Sequence, residues 1–430
     1  MAFRNTNSSE TWDKVYEAFT QVNFTSFDYK TIKQSLVDYL RIYYSEFFND
    51  LIESSELIAL LEMFAYVAEQ LAYRVDMVSH ENFITTAQRK QSILRLAKLI
   101  SYKATRNIPV RGLVKITSIN TTERIVDSRG VDLSNLTVVW NDPNNTNWKE
   151  QFLLVANRVL STRFGQPQKS YQIGDVVMDL YTLNASTDSF VNGVYPFSAV
   201  TGLDTYPMEV VPADIDENGP LEREPDLNSA ISVIYANDGI GDGSDYTGFL
   251  MYVKQGTLAR VDYNIVDKLP NRRIEFLPDN VNHTDVWVQK VDEDGNIVER
   301  WKQIETISEQ NLIFNDDRST RKKYEVDTLE NDQIAVMFGD GDFSDVPQGL
   351  FRFWMRQSAN RSIVIPKNKV VNESMSFNYV SNTGNTETCS ITFSLTTTLQ
   401  NGAASETIEH VRQSAPSTYY AQNRMVNGQD

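Results

Sequence analysis

Between Glu56 and Ser79 the apolar residues Leu57, Leu61, Phe64, Ala68, Leu71, Val75 and Val78 follow one another at alternating steps of four and three. That spacing predicts a helix with one continuous seam. Ile58, Leu60, Ala65, Val67 and Ala72 widen the apolar face, while the acids Glu62, Glu69 and Asp76 recur seven apart outside it. A helix apolar over so much of its circumference needs cover on more than one side. A two-stranded coiled coil would leave part of it exposed, and a bundle of three or more helices would not. The cover comes either from the flanking helices of the same chain, as a private three-helix core, or from other chains docking on Leu57, Leu61, Phe64, Leu71, Val75 and Val78.

The flanks read as helices too. A short amphipathic piece carries Trp12, Val15, Tyr16 and Phe19, and a helix over 28–44 places Ile32, Leu36, Tyr39, Leu40 and Tyr43 on one face. Ser54 or Ser55 can cap the central helix. Thr85 followed by Gln88 reads as a capping box for a third helix over 86–101, with Ile93, Leu94, Leu96, Ala97 and Ile100 inward.

After Pro109 the texture changes. LVKITSI, LTVVW, FLLVANRVL and VVMDLYTL are β-branched and aromatic runs separated by Asp, Asn, Gly and Pro clusters, and all four read as strands. A second block follows with FLMYVKQG, RIEFL, DVWVQKV, IVERWKQI, QIAVMFG and LFRFWMRQ, in which Asp292 to Asn296 forms a hairpin turn. SETIEHVRQSAP closes the pattern as a short helix with Ile408 and Val411 as its apolar contacts. The fold class is therefore α+β, an N-terminal helical bundle segment followed by β-rich, mainly antiparallel domains. The division runs 1–108 (helical), 109–230 (β-rich domain or insertion), 231–400 (β-rich) and 401–430 (C-terminal helix and the start of a further domain).

Charge and composition narrow the function. A net charge of −17 over 430 residues argues against nucleic-acid binding, which needs a basic field. Against that acidic background Arg89, Lys90, Arg95 and Lys98, continued by Lys103, Arg106 and Arg111, occur with no acid between them. They are either a docking face or a solvated face whose charges suit a helix C-terminus. The single Cys389 allows no intramolecular disulfide and no CxxC site, the N-terminus lacks a signal-peptide pattern, and the charges within the central helix make it a poor membrane span. These features predict a protein of the cytosol, without membrane contact.

Little of the sequence looks like catalytic chemistry. His80, His283 and His410 stand in unlike contexts, and neither HExxH, GxSxG nor a Walker A loop occurs. DGIGDGSD offers Asp238, Asp242 and Asp245 to calcium, or is a plain turn-rich loop; it is a single copy. Paired acids for glycoside hydrolysis leave no sequence signature. The expectation is no catalytic, cofactor or metal residue.

Three stretches resemble one family. The central helix and its continuation carry Tyr73, Asp76, Glu81, Thr86, Ala87, Arg89, Leu96, Ala97 and Lys98; VMFGDGDFSDVPQGLFRFWMRQSAN carries Phe338, Gly339, Asp340, Gly341, Pro347, Gly349 and Arg356; the end carries Gly402, Ala403, Glu406, Ala415, Pro416, Gln422, Asn423 and Arg424. Together they look like the baseplate J-like family, the ring-forming wedge proteins of contractile-tailed bacteriophage baseplates. Taken alone, the Phe338–Gly341 turn reads as a hairpin, with glycines permitting a left-handed turn and Asp340 bonding its amides.

The resemblance implies a non-enzymatic virion subunit, made in host cytoplasm and resident in the tail baseplate. Two copies would enter each wedge, together with a helix-donating wedge subunit and a sheath-initiator-like subunit, and wedges would join in a ring coupling receptor binding to sheath contraction. The family commonly has glycine and proline where Ser101 and Ala104 stand, and glycine near Ser344. Its members continue beyond the position of Asp430 into another α/β domain. Two other classes remain open, a receptor-binding fibre or adhesin and a glycan-cleaving tail enzyme. Co-assembly, cell binding and hydrolysis respectively distinguish them.

Overall fold

The computed structural model describes residues 28–43, 56–137, 147–160, 166–183, 192–227, 231–241, 243–305, 307, 321–342 and 344–421. The short helix expected over 12–19, the capping serines at 54 and 55, and Gln422, Asn423 and Arg424 lie outside them. The chain forms two compact units, Met1–Tyr102 with Val411–Asp430, and Lys103–His410. The fold is α+β, with its helical segment first and mostly antiparallel sheets after it.

In the first unit α1 (Tyr29–Tyr43) starts on Asp28, whose carboxylate accepts from the Thr31 N–H at 3.2 Å. It packs on α2 (Glu56–Glu81) through Leu36, Val37, Ile58 and Leu61. The Tyr29 N–H donates to Glu69 Oε1 at 3.3 Å and Lys33 Nζ lies 2.6 Å from Glu62 Oε1. Rising numbers on one helix meet falling numbers on the other, so the pair is antiparallel. Two of the acids at heptad spacing are thus spent on α1.

The third helix differs from expectation. α3 (Lys90–Leu99) starts four residues later than the Thr85–Gln88 box predicts, and Arg89 at its N-cap makes no side-chain cap. Glu81, from the end of α2, accepts instead from the N–H groups of Gln88 and Arg89 at 3.0 and 3.3 Å. Hydrogen bonds from Ser92 and from Gln88 hold its carboxyl below the usual range. At the other end Ser101 adopts φ 61°, the Ser101 N–H donates to Lys98 O at 3.0 Å and the Tyr102 N–H to Ala97 O at 2.9 Å. That is a Schellman ending, which favours glycine where Ser101 stands.

The second unit begins with β1 (Arg111–Thr121) and β2 (Asn135–Thr137), followed by α4 (Trp148–Leu160). The run FLLVANRVL, read above as a strand, belongs to this helix. Its β-branched and aromatic content suggested a strand, yet Trp148, Phe152, Val155, Ala156 and Val159 recur at helical spacing and are all buried. Phe152 stacks on Phe249 with centroids 4.0 Å apart, and Trp148 meets the same ring edge-on at 5.8 Å. That apolar stripe explains the helix.

β3 (Lys169–Ile173), β4 (Val176–Leu183), β5 (Tyr195–Thr201), β6 (Asp204–Val210), β7 (Ala213–Asp216), β8 (Gly219–Glu222), β9 (Ile231–Asn237) and β10 (Gly248–Gln255) follow. Next come β11 (Thr257–Ile265), β12 (Arg273–Phe276), β13 (Val281–Val291), β14 (Ile297–Ile304), β15 (Lys323–Thr328), β16 (Ile334–Phe338), β17 (Gly349–Gln357), β18 (Glu373–Val380) and β19 (Thr386–Ser394). One sheet runs β18-β19-β1-β10-β9-β4-β3, with β2 on β1 and the β5–β6 pair on β10; a second runs β11-β17-β13-β14-β15-β16-β12; β7 and β8 pair alone. Only the β14–β15 pairing among the described strands is parallel.

The first sheet draws strands from both sides of residue 230, so the segments 109–230 and 231–400 interleave within it. Between β13 and β14 the expected hairpin turn is present, the Asp292 N–H donating to Asn296 O at 3.0 Å. Separate apolar cores line the two sheets, and a third cluster with Leu180, Tyr252, Leu258 and Trp354 joins strands of both.

α5 (Ile408–Ala421) closes the described chain, longer than the predicted segment and running through Pro416. Val411 and Ala415 are buried, and Arg412 donates to the carbonyls of Ile84 and Ala87 at 3.1 and 2.8 Å.

Candidate partner-docking face

The predicted seam divides between two faces of α2. Ile58, Leu61 and Ala65 are buried, Leu57 is half-buried, and Phe64, Leu71, Val75 and Val78 are exposed. At about 100° per residue those four share a stripe with Leu60 and Val67, turned away from the side that meets α1. The six side chains are between 48 % (Val67) and 65 % (Val75) exposed. Their spacing of four, three, four, four and three is that of a helix–helix seam. Met63 lies exposed beside them, and Glu62 and Glu69 face elsewhere, toward α1. A continuous apolar stripe of this length is unusual on a free surface. No helix among the described residues is long and apolar enough to cross a membrane.

The basic quartet does not line up as one face. Arg89 precedes α3, Lys90 flanks the side of the buried Ile93 and Ala97, and Arg95 and Lys98 lie on the opposite side. Arg89 and Arg95 are exposed; Lys90 and Lys98 are half-buried.

The Phe338–Gly341 turn has a structural task, and it is not a hairpin. β16 and β17 are separated in their sheet by β13, β14 and β15, so the turn opens a crossing between distant strands. Phe338 is buried against Trp301, centroids 5.3 Å apart. A Cβ on Gly339 would fall 2.4 Å from the Ser344 Cβ, and Gly341 adopts φ +100°. Asp340 Oδ1 accepts from the Asp342 N–H at 2.9 Å, as its sequence position suggests. Ser344 hydrogen-bonds the carbonyls of Arg321 and Lys323 at 3.0 and 2.9 Å. Its hydroxyl fixes the turn from inside.

Sequence reasoning missed the buried charges of the second unit. Arg356 on β17 reaches both carboxylate oxygens of Glu222 at 2.6 Å and Glu209 Oε2 at 3.0 Å. Lys254 lies 2.9 Å from Glu222 and hydrogen-bonds Asp285. Burial pushes the Glu209 carboxyl up, only partly offset by Arg356. Asp285 also feels burial, but Lys254 and Arg356 outweigh it and hold it below the usual carboxylate range. Three carboxylates share two cations here, and the cluster ties β6, β8, β10, β13 and β17 together. These residues lie up to 147 positions apart, and nothing local signals their meeting.

Nearby, the buried Arg106 donates to the carbonyls of Val281, Asn282 and His283 at 3.2, 3.3 and 3.0 Å, and burial lowers its pKa to about 10. His283 Nδ1 accepts from the Arg106 N–H at 3.3 Å; burial, then Arg106 and Lys103, lower its pKa to about 4. Cys389 is buried and its thiol is pushed up to about 12. No group of three or more metal-ligating side chains is present among the described residues.

The chain belongs to the family described as Domain of unknown function (DUF8360), whose model matches residues 112–398, the greater part of the second unit. Residues 28–99, which span α1, α2 and α3, match the model for the bacteriophage baseplate protein N-terminal domain. The exposed stripe of α2 therefore lies inside the segment that matches a baseplate domain, which supports a phage baseplate protein with a structural role in the virion tail. No curated protein matches the chain.

Proposed function

We propose that the protein is a non-enzymatic subunit of the baseplate wedge of a contractile phage tail, joining other wedge proteins in a ring around the hub that couples receptor binding to sheath contraction. Its partners on this reading are a second copy of itself, a helix-donating wedge subunit and a sheath-initiator-like subunit, with no nucleic acid and no membrane. The observation that carries the reading is the uncovered stripe Leu60, Phe64, Val67, Leu71, Val75 and Val78 within the segment that matches a baseplate domain. Fully burying one such side chain is worth about 1.5–3 kcal/mol, so a handful can sustain a stable assembly after the cost of association.

Co-expression with the neighbouring tail proteins tests it. Wild-type chain is expected to co-purify with them in wedge-sized complexes. Leu71→Asp is expected to abolish co-purification while leaving the melting of the β-rich unit unchanged. Normal co-purification of that variant would sink the proposal.

A further inference from the structure

The loop between β9 and β10 is held more firmly than a connection between neighbouring strands requires. Asp238 Oδ1 accepts from the Ile240 N–H at 3.0 Å and the Thr247 hydroxyl at 2.7 Å, and Oδ2 accepts from the Ser244 hydroxyl. The buried Lys115 donates to Ser244 O at 2.9 Å, and the Thr396 hydroxyl to Asp245 O at 3.1 Å. What these bonds fix in place is exposed: Ile240 and Tyr246 stand 83 % and 61 % in solvent. Pre-ordering a loop to present large side chains to water adds nothing to the fold and suits recognition.

Beside this loop lies a cleft of about 240 Å3. Its floor is apolar, made by Leu113, Tyr252 and Leu399. On its rim Arg111 and Asp245 carry opposite charges, yet neither side chain has an ion pair or hydrogen bond among the described residues, and the hydroxyls of Tyr246 and Thr397 are equally uncommitted. A bound anion would face Asp245, and a bound cation would face Arg111. A neutral ligand with several hydroxyls satisfies both, donating to the carboxylate and accepting from the guanidinium. The apolar floor and the exposed Tyr246 ring suit the C–H face of a sugar. A space of about 240 Å3 is small beside the ~300–1,000 Å3 of pockets for drug-sized ligands and suits a single ring.

We propose that this cleft binds one neutral pyranose unit of a saccharide, with Arg111, Asp245, Tyr246 and Thr397 as its polar contacts. The cleft belongs to the second unit and the apolar stripe of α2 to the first, and its test needs no wedge partner, so either reading can fail without the other. The experiment is saturation-transfer NMR and calorimetric titration of the full chain with methyl glucoside, galactoside, mannoside, rhamnoside and N-acetylglucosaminide, with a glycyl-tyrosine amide control. For a ligand of this size a dissociation constant on the order of millimolar is expected for at least one sugar. Tyr246→Ala and Asp245→Asn are each expected to weaken it about tenfold or more, with unchanged melting because both residues are exposed. Absence of transfer to every pyranoside, undiminished binding by both variants, or preference for the dipeptide would overturn the proposal.

Discussion

Replacing Arg356 by Met probes how the two sheets of the second unit are held. The guanidinium supplies two 2.6 Å contacts to Glu222 and one 3.0 Å contact to Glu209, and lies 3.8 Å from Asp285. Without it three buried carboxylates face Lys254 alone. Removing one partner from a buried ionic cluster strands charge, and the cost is about 3–5 kcal/mol, a large part of a typical domain's ~5–15 kcal/mol.

The pH dependence identifies the cause. Burial already raises the folded pKa of Glu209, and loss of Arg356 raises it further. A carboxyl whose folded pKa lies above its unfolded value gives stability that is present at low pH and lost as pH rises through the folded pKa. The deficit of Arg356→Met should therefore shrink between neutral and mildly acidic pH. Arg356→Lys should recover only part of it, since an ammonium cannot bridge Glu209 and Glu222 in two directions. Urea denaturation followed by tryptophan fluorescence measures this, because Trp148, Trp287, Trp301 and Trp354 fall in this unit. A loss below about 1 kcal/mol, well under the range for a buried pair, or a deficit independent of pH, would show that Arg356 does not hold the buried carboxylates.

His283 contributes in the opposite direction. Its folded pKa of about 4 lies below the 6.5 of a free imidazole, so its contribution is full above pH 6.5 and is lost as pH falls toward 4; the change is at most about 3 kcal/mol, and about half that after solvent screening. His283→Gln should flatten that part of the stability–pH curve, and an unchanged slope would contradict the assignment. Gly339→Ala should cost about 1–3 kcal/mol through the 2.4 Å approach to Ser344, read as a lowered urea midpoint. Ser101→Gly should stabilise the helical unit by up to about 1 kcal/mol by relieving the left-handed backbone at φ 61°, and a loss of helical melting temperature would count against the Schellman reading.

Local pattern made α2 legible, because its apolar steps extend over many turns and outweigh any single residue. It also located the Asp292 turn and the β-rich texture after Pro109. It failed where two periods competed: FLLVANRVL has strand composition, and the helical stripe begins at Trp148, just outside the run that drew attention. The start of α3 was missed because its donors are satisfied by Glu81, from the preceding helix, and not by a local box. Which side of the seam α1 would cover was not readable either, since Leu61 and Leu71 look alike in sequence and only the packing separates them. The charge cluster around Arg356 depends wholly on tertiary approach, and single-sequence reasoning has no handle on it.

An electron-microscopy reconstruction of the source particle would show whether the exposed face of α2 is covered in the assembled tail. This chain is expected in the tail baseplate, with Phe64, Leu71 and Val75 of α2 buried against helices of neighbouring chains. Density showing that face in open solvent within the assembled particle, or the chain located outside the baseplate, would contradict it.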